Sequence, residues 1–258
     1  MASSFSLIKW YLDCVTDEGE VTIVYLAELR WHGVHLHLAS VVGGIEESMG
    51  TRSSMSPCRL SSNGGRICAE HAKLGVLGIW EADATAVERT VYENGSGYVR
   101  WNCLQPRSLV QLRVKDRELT GLGYAECLTL TIPPWQLPMR QLRWGRFVSP
   151  EDSLAWVDWQ GPFSTNFAIH NGEETKLNTV TEAEVRFPGA TLTIERGLAL
   201  RSGRLGSTIL PGIPALGMLL PSSLFNVEEC KWRSRGTLVT KDRGSSGWVI
   251  HEVVQWSV

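Results

Sequence analysis

Hydrophobic and polar residues alternate over short segments along most of the chain. In the segment from Glu20 to Arg30, for example, Val21, Ile23 and Tyr25 occupy alternating positions. These segments are rich in β-branched and aromatic residues and end at Gly, Asn, Asp or Pro, which is typical of strands and turns. No longer segment keeps the 3.6-residue period of a helix. The pattern therefore predicts an all-β, antiparallel fold.

The predicted strands fall into two groups, before and after a proline-rich connector at 132–138. A turn at Thr16-Asp17-Glu18-Gly19 makes the first two strands a hairpin, and the Ser-, Gly- and Arg-rich segment 46–65 is predicted to be a loop over an opening. The first group comprises Ile8 to Val15, Glu20 to Arg30, His32 to Val42, Arg66 to Lys73, Val76 to Glu81, Glu88 to Tyr92, Gly97 to Leu104, Ser108 to Lys115 and Thr120 to Leu130. The second comprises Arg143 to Val148, Leu154 to Gln160, Asn166 to His170, Thr181 to Phe187, Ala190 to Arg196, Leu224 to Trp232, Gly236 to Lys241 and Gly247 to Trp256. We expect two domains, 1–132 and 133–258, each a small barrel or curved sandwich.

Composition narrows the possible partners. The chain of 258 residues has a formal net charge of −2 with acidic and basic residues interspersed, so neither nucleic acid nor anionic lipid is an expected partner. Lys9 and Asp13 interrupt the N-terminal segment, which lacks the pattern of a signal peptide and predicts a cytoplasmic protein.

Six cysteines without a CxxC pair are expected to be reduced. Three prolines interrupt the weakly charged stretch 205–225, so no transmembrane helix is expected there. Eleven tryptophans favour an aromatic core or an apolar cavity.

The middle of the chain concentrates glycine, aromatic and charged residues between Gly121 and Phe147. The segment Gly121-Leu122-Gly123-Tyr124-Ala125-Glu126 imitates the start of a dinucleotide fingerprint, but the third glycine is missing and no βαβ unit follows. The sequence also lacks a nucleophile elbow and a phosphate loop. Hydrolase and kinase chemistry therefore has no support, and the segment is predicted to be the seam between the two halves.

Three motifs carry a family resemblance: Lys9-Trp10-Tyr11-Leu12-Asp13 before an acidic-Gly turn, Gly123-Tyr124-Ala125-Glu126, and the closing segment Gly247 to Trp256. They resemble the carotenoid hydratase (hydroxyneurosporene synthase) and AttH-like family of double lipocalin-like proteins, distantly related to fungal decalin-forming cyclases. Glu126 stands in place of the family's Asp. The resemblance implies two lipocalin-like antiparallel halves and acid-initiated chemistry on an isoprenoid or polyene, in which a C=C bond is protonated and the cation is captured by water or by ring closure.

The implied chemistry needs an acid that is protonated near neutral pH, and burial among aromatic side chains achieves this by raising the pKa of a carboxyl group. Aromatic faces must also line the cavity, since ring quadrupoles stabilise a carbocation by ~0.5–2 kcal/mol per contact. Glu126 beside Tyr124 is the first candidate for the acid. Alternatively, Glu126 forms an ion pair with Arg143 or Arg146, which would lower its pKa and remove it from this role. The candidate substrate-binding residues are Trp10, Tyr11, Trp101, Trp135, Arg143, Trp144, Arg146, Trp156 and Trp159.

Two further candidate catalytic residues lie in the second half. Asp158 shares its strand face with Trp156, whereas Trp159 projects to the other face. His251 and Glu252 project to opposite faces of the last strand, and an inward His251 would serve as a proton relay. The structural alternatives are a partnered or exposed aspartate and a hydrogen-bonded or surface histidine.

His32, His35 and His37 are spaced for metal chelation from a strand. The cupin arrangement needs a glutamate shortly after His37, where Val41 and Val42 stand instead. Because no third ligand is evident, the sequence predicts neither a metal nor another cofactor.

The sequence leaves several functions open. The first is a lyase or cyclase that acts on a hydrophobic terpenoid, polyene or polyketide-like substrate. The second is a non-catalytic carrier that holds a lipid or pigment in the same cavity. The third, a structural protein, gains support if the interior is filled by the protein's own tryptophans.

Overall fold

The computed structural model describes residues 5–44, 50–204 and 226–256. The chain divides into two compact units, Met1–Gln136 and Leu137–Val258, each built on one curled antiparallel sheet. This confirms the predicted all-β class with two lipocalin-like halves. Within the described ranges, no helix is long and apolar enough to cross a membrane. The stretch 205–225, where no such helix is expected, lies outside these ranges.

The first unit contains ten strands and two short 3-10 turns in its described part. They are β1 (Ser6–Val15), β2 (Val21–Trp31), β3 (Val34–Gly44), β4 (Gly50–Ser54), β5 (Arg59–Asn63), β6 (Arg66–His71), η1 (Ala72–Leu74), β7 (Val76–Ala82), β8 (Val87–Asn94), β9 (Gly97–Val114), β10 (Arg117–Leu130) and η2 (Pro134–Gln136). The sheet order is β4-β3-β2-β1-β10-β9-β7-β6-β5, and β8 also pairs with β9. The first strand thus hydrogen-bonds to the last strand of the unit.

The second unit has the same strand order. Its described strands are β11 (Gln141–Val148), β12 (Ser153–Gln160), β13 (Thr165–His170), β14 (Glu173–Thr175), β15 (Thr179–Val180), β16 (Glu184–Phe187), β17 (Ala190–Ile194), β18 (Leu198–Arg204), β19 (Glu228–Thr240) and β20 (Gly244–Gln255). They run β14-β13-β12-β11-β20-β19-β17-β16-β15, with β18 also on β19. Each strand therefore corresponds to the strand ten places earlier in the first unit.

Both faces of the central strand β1 are buried, which explains its nearly continuous apolar sequence. Leu12 and Cys14 belong to the core of the first unit, whereas Tyr11 and Asp13 are buried on the opposite face. Trp80 lies in this core and donates its indole N–H to the backbone oxygen of Asp13 at 2.7 Å. Burial of such a large apolar side chain stabilises the fold by about 3 kcal/mol. The strand therefore supports two packed layers.

The core of the second unit contains Phe147, Leu154 and Trp156 from the paired strands β11 and β12. Gly145 lies opposite Trp156, and a Cβ atom on Gly145 would come within 2.2 Å of the indole. The glycine therefore leaves the space that the tryptophan fills, because a packed core has no room for both.

Asp152 joins three turns of the second unit through its buried carboxylate. It accepts hydrogen bonds from Ser245 Oγ at 2.7 Å, Arg243 Nη2 at 2.8 Å and Asn171 Nδ2 at 3.1 Å, and His170 Nε2 lies 3.3 Å away. Burial alone would raise the pKa of Asp152, but these partners outweigh it and lower the pKa. The ionised carboxylate thus holds the turns together.

The structure corrects several predicted strand limits. Segments 97–104 and 108–115 form one strand, β9, and segment 236–241 is continuous with 228–232 in β19. The predicted loop at 46–65 contains β4 and β5, while its first residues, 46–49, lie outside the described ranges. His32 lies in the turn between β2 and β3, with φ of 47°, rather than in a strand. Strands β14, β15 and β18 have no counterpart in the predicted set.

Candidate active site

Four neighbouring strands of the first unit place side chains in one row on the face opposite the core. Register pairs Tyr25 of β2 with Tyr11 of β1, Tyr11 with Glu126 of β10, and Glu126 with Cys103 of β9. Directly paired residues project to the same face of a sheet. All four side chains are buried. We call this set the Glu126 row.

The carboxylate of Glu126 accepts two hydrogen bonds at the same oxygen. Trp101 Nε1 donates to Oε2 at 2.5 Å, and Tyr124 Oη donates to Oε2 at 2.7 Å. An indole N–H is a donor only, so Trp101 fixes Oε2 as an acceptor. A proton carried by Glu126 would consequently reside on Oε1. The two donors thus give the acid group a defined orientation.

Tyr124 is fully buried between Glu126 and the neighbouring aromatic rings. Burial first, and then Cys103 and Glu126, raise the pKa of Tyr124 well above its ordinary value. The phenol therefore stays neutral and keeps its proton for the hydrogen bond to Glu126. Its ring packs edge-on against Tyr11 with centroids 6.0 Å apart, and Tyr11 packs in the same way against Tyr25 at 5.4 Å. The carboxylate thus lies at one end of a row of three packed tyrosine rings, with Tyr124 bonded to it.

The glycines of the central motif allow β10 to approach β1 closely. A Cβ atom on Gly121 would lie 2.2 Å from the backbone oxygen of Val15, and one on Gly123 would lie 2.2 Å from that of Asp13. Pairing of β10 with β9 is irregular on both sides of Ala125. Such bulges redirect side chains locally. The Gly-x-Gly pattern therefore serves strand packing next to Glu126.

Two other predicted residues of the first unit lie elsewhere. Trp10 projects to the core face and packs against the hydrophobic core. Trp135 joins a separate aromatic group, with its ring centroid 5.1 Å from Trp31 and 5.8 Å from Phe5. Neither residue belongs to the Glu126 row, whereas Tyr11 is part of it and Trp101 donates to Glu126.

In the second unit, His251 of β20 is buried next to two residues of β19. Its imidazole stacks on Trp232 with centroids 5.2 Å apart, and Nε2 lies 3.2 Å from Ser234 Oγ. Burial first, and then the positive charges of Lys231 and Arg143, lower the pKa of His251 to about 4. The imidazole is therefore neutral near pH 7, and it can accept a proton or share one with the serine hydroxyl.

We expect His251 to titrate with a pKa of about 4 in the folded protein. NMR of the imidazole resonances measures this, with His251→Gln as the assignment control. Lys231→Met should raise this pKa, because the positive charge of Lys231 is the largest cause of its lowering after burial, while Lys241→Met at an exposed turn should leave it unchanged. A wild-type pKa near 6.5, or no change in Lys231→Met, would contradict the buried, neutral histidine.

The other predicted residues of the second unit divide between the two faces of its sheet. Arg143 pairs with Asp158, and Gly145, two residues later, pairs with both His251 and Trp156. These side chains therefore share one face. Asp158 is buried and accepts a hydrogen bond from Gln160 Nε2 at 2.7 Å. Arg143, Asp158, Trp156 and His251 are thus placed on a common face.

Trp144 and Arg146 project to the opposite face, next to Lys231. The Lys231 ammonium lies 5.0 Å from the centre of the Trp144 ring and forms an ion pair with Glu252. Arg146 is fully buried and donates to the backbone oxygen of Trp248 at 2.7 Å. This face therefore carries buried positive charge next to indole rings.

Trp159 also lies on the second face, where it pairs with Leu142. Its indole N–H donates to the backbone oxygen of Pro138 at 3.2 Å, and its ring packs edge-on against Phe163. The expected separation of Trp159 from Trp156 is confirmed. These two contacts hold the Trp159 ring against the segment before β11 and the turn after β12.

Sequence reasoning missed Tyr25 and Cys103 in the first unit and Trp232 and Ser234 in the second. Each of these four residues lies on a strand that pairs with a strand carrying a predicted site residue. The signal that would have found them is strand register, because directly opposite residues share a face.

Two of the three predicted histidines lie beside a glutamate of the first unit. His35 and His37 of β3 face Glu28 of β2, and His37 is its direct register partner. His32 lies in the turn and contacts the ring of Trp31. A carboxylate is therefore present beside the two histidines, but it is Glu28 of β2 and not a residue after His37.

Comparison with family models and with curated protein sequences finds no match. Solved structures with a similar fold do exist. CghA, crystallised with Sch210972, gives a TM-score of 0.60 at 9% identity, covering 98% of this chain and 89% of CghA. Kievitone hydratase from Nectria haematococca gives 0.57 at 12% identity, with coverage of 98% and 89%. The AttH-like protein NE1406 from Nitrosomonas europaea gives 0.61 at 8% identity, with coverage of 98% and 93%. At such identities the likeness establishes a shared fold.

Proposed function

We propose that the chain is a lyase- or cyclase-type enzyme that starts its reaction by proton transfer from Glu126 to a hydrophobic terpenoid, polyene or polyketide-like substrate. The observation that carries the proposal is the buried carboxylate of Glu126, oriented by Trp101 and Tyr124. A general acid requires a fixed direction and a pKa near the working pH, and burial raises the pKa of a carboxyl group.

The proposed first step transfers the Oε1 proton of Glu126 to one carbon of a C=C bond. The π electrons form the new C–H bond, the neighbouring carbon becomes cationic, and Glu126 is left as a carboxylate. Hydrogen bonds from Trp101 and Tyr124 stabilise that carboxylate. The aromatic faces of Tyr11 and Tyr25 supply the environment that a carbocation favours.

The second step captures the cation by water or by ring closure. When water attacks, the oxygen must lose a proton, and the Glu126 carboxylate left by the first step can take it back. In the second unit, the low pKa of His251 keeps the imidazole neutral at pH 7, and we propose His251 and the carboxyl group of Asp158 as further proton-transfer groups of that unit. Trp101 is the proposed substrate contact beside Glu126, whereas Arg143 and Trp156 share the face of His251 in the second unit.

A carrier function is the second candidate, and one cavity favours it. The first unit contains a cavity of about 390 Å³ at the β2–β3 and β9–β10 ends, within the size range of small-molecule sites. Val41 and Leu119 give it apolar walls, and its charged lining is mixed, with Arg52, Lys115 and Arg117 beside Glu20 and Asp116. An amphipathic ligand such as a lipid suits a lining with both apolar and polar residues.

Incubation with a panel of terpenoids, polyenes and linear polyketides in D2O distinguishes the two functions. An acid-initiated enzyme yields a hydrated or cyclised product with deuterium bound to carbon, measured by mass spectrometry. A carrier binds the ligand and releases it unchanged. A product without carbon-bound deuterium would show that the reaction proceeds without protonation by the enzyme, and the proposed mechanism would be wrong.

A further inference from the structure

Glu28, His35 and His37 form a compact group on the β2–β3 hairpin of the first unit. Within the described part of the chain, one potential ligand atom from each of the three lies within 4.8 Å of the others. His35 Nε2 is 2.8 Å from Glu28 Oε1, and the two imidazole rings are 4.6 Å apart between centroids. The group lies apart from the Glu126 row, because Glu28 and Tyr25 project to opposite faces of β2.

The backbone of the hairpin holds these residues in place. His32 and Gly33 form the two-residue turn, with φ of 47° and 79°, which is the conformation of a tight turn with positive φ at both positions. This turn sets the register, so that Glu28 lies opposite His37 and Arg30 lies opposite His35. The three side chains therefore converge without any movement of the backbone.

The chemistry of the group suits a transition metal. Two imidazole nitrogens and one carboxylate oxygen form a donor set that binds Zn²⁺ with open positions for water. Bonds of about 2.0–2.1 Å from Zn²⁺ to nitrogen or oxygen place the ligand atoms of a tetrahedral site roughly 3.3 Å apart. Exposed side chains can reach this separation by changing rotamers. Half of the His35 side-chain surface is accessible, at 47%.

We propose that Glu28, His35 and His37 form a surface site for a divalent transition metal ion, with Zn²⁺ as the preferred test ion. Water molecules complete the coordination. Hard cations such as Mg²⁺ and Ca²⁺ are excluded by the two imidazole ligands, since these ions prefer oxygen.

Arg30 competes with the metal for Glu28. Its guanidinium contacts the same carboxylate oxygen as His35, with Nη2 at 2.7 Å and Nε at 2.9 Å. A metal ion must displace this contact and overcome the repulsion of a nearby positive charge. If Glu28 is a metal ligand, removal of Arg30 should therefore tighten metal binding. A polar surface cluster that binds no metal would show no such change.

The test is titration of the untagged, reduced protein with Zn²⁺ by calorimetry, together with NMR of the histidine side chains. We expect the resonances of His35 and His37 to shift on saturation. His35→Ala, His37→Ala and Glu28→Gln should each weaken binding by at least about tenfold, since even the loss of supporting groups around a metal costs that much. Arg30→Gln should tighten binding roughly two- to tenfold. His32→Asn, in the adjacent turn, is the matched control and should bind as the wild type does.

Several outcomes would overturn the proposal. Equal Zn²⁺ affinity in the wild type and the His35→Ala/His37→Ala double variant would assign any binding to other residues. Unchanged or weaker affinity in Arg30→Gln would remove Glu28 from the ligand set. Saturation with Mg²⁺ at comparable concentration would show nonspecific attraction of cations. Because these readouts do not depend on turnover, they hold whether or not the proposed enzymatic function is correct.

Discussion

Glu126→Gln is expected to lower turnover by about 10²–10⁴-fold while ligand binding is preserved, because general acid catalysis contributes that much to a rate. Glutamine has nearly the same shape as glutamate, and its amide oxygen still accepts from Trp101 Nε1 and Tyr124 Oη, as Oε2 does. The variant keeps these two acceptor contacts and lacks the acidic proton. The comparison is made by measuring single-turnover product formation and, separately, ligand affinity.

Glu118→Gln is the matched control, because Glu118 lies on the same strand with an exposed side chain. It should turn over substrate at the wild-type rate. Asp158→Asn tests the second candidate acid in the other unit. If both Glu126→Gln and Asp158→Asn retain turnover, these carboxylates are not the acids of the reaction. If Glu126→Gln loses binding together with turnover, Glu126 acts through an ion pair or through packing instead of proton transfer.

Part of the Glu126 site follows from sequence alone. Tyr124 and Glu126 are two residues apart on a predicted strand, so a shared face is expected from the period of a β-strand. Trp101 is different. Its hydrogen bond to Glu126 depends on how β9 pairs with β10, and that pairing shifts around Ala125. A shift of one residue reverses the face of every side chain that follows, so local pattern cannot place Trp101.

Proline and glycine account for the wrong division of the long strands. Pro106 lies inside β9, where the predicted strands end and restart, and the irregular pairing with β10 is at this point. Proline is tolerated in a sheet at such bulges, because a missing N–H matters least there. In β19, a Cβ atom on Gly236 would come within 2.6 Å of Val249. This glycine serves close packing instead of a turn.

The geometry of the proposed metal ligands depends on a turn that can be recognised in the sequence. The sequence interpretation begins a strand at His32, although His32 and Gly33, both with positive φ, form the hairpin turn. Once that turn is placed, Glu28 must oppose His37. A histidine pair on one strand and a carboxylate on its neighbour are therefore predictable from register but not from spacing.

Asp152→Asn is expected to lower the free energy of unfolding by about 2–3 kcal/mol at pH 7, because the buried carboxylate loses charge-assisted hydrogen bonds from Ser245, Arg243 and Asn171. The half-exposed Arg243 is solvated after the change, which keeps the loss below that of a fully buried pair. Urea denaturation measures the difference. Asp242→Asn, an exposed neighbour of Arg243, is the control and should cost little.

Low pH should remove the difference in unfolding free energy between the wild type and Asp152→Asn. The pKa of Asp152 is lowered in the folded protein, so its contribution is complete above the unfolded pKa of about 3.9 and is lost as the pH falls through the folded value. His251 weakens the fold in a different window, between about 6.5 and 4, since its folded pKa is the lower one. That effect is common to both proteins and cancels in their difference. A difference that does not shrink as the pH falls below the unfolded pKa of about 3.9, or one no larger than that of Asp242→Asn at pH 7, would show that the charge of Asp152 does not hold the turns together.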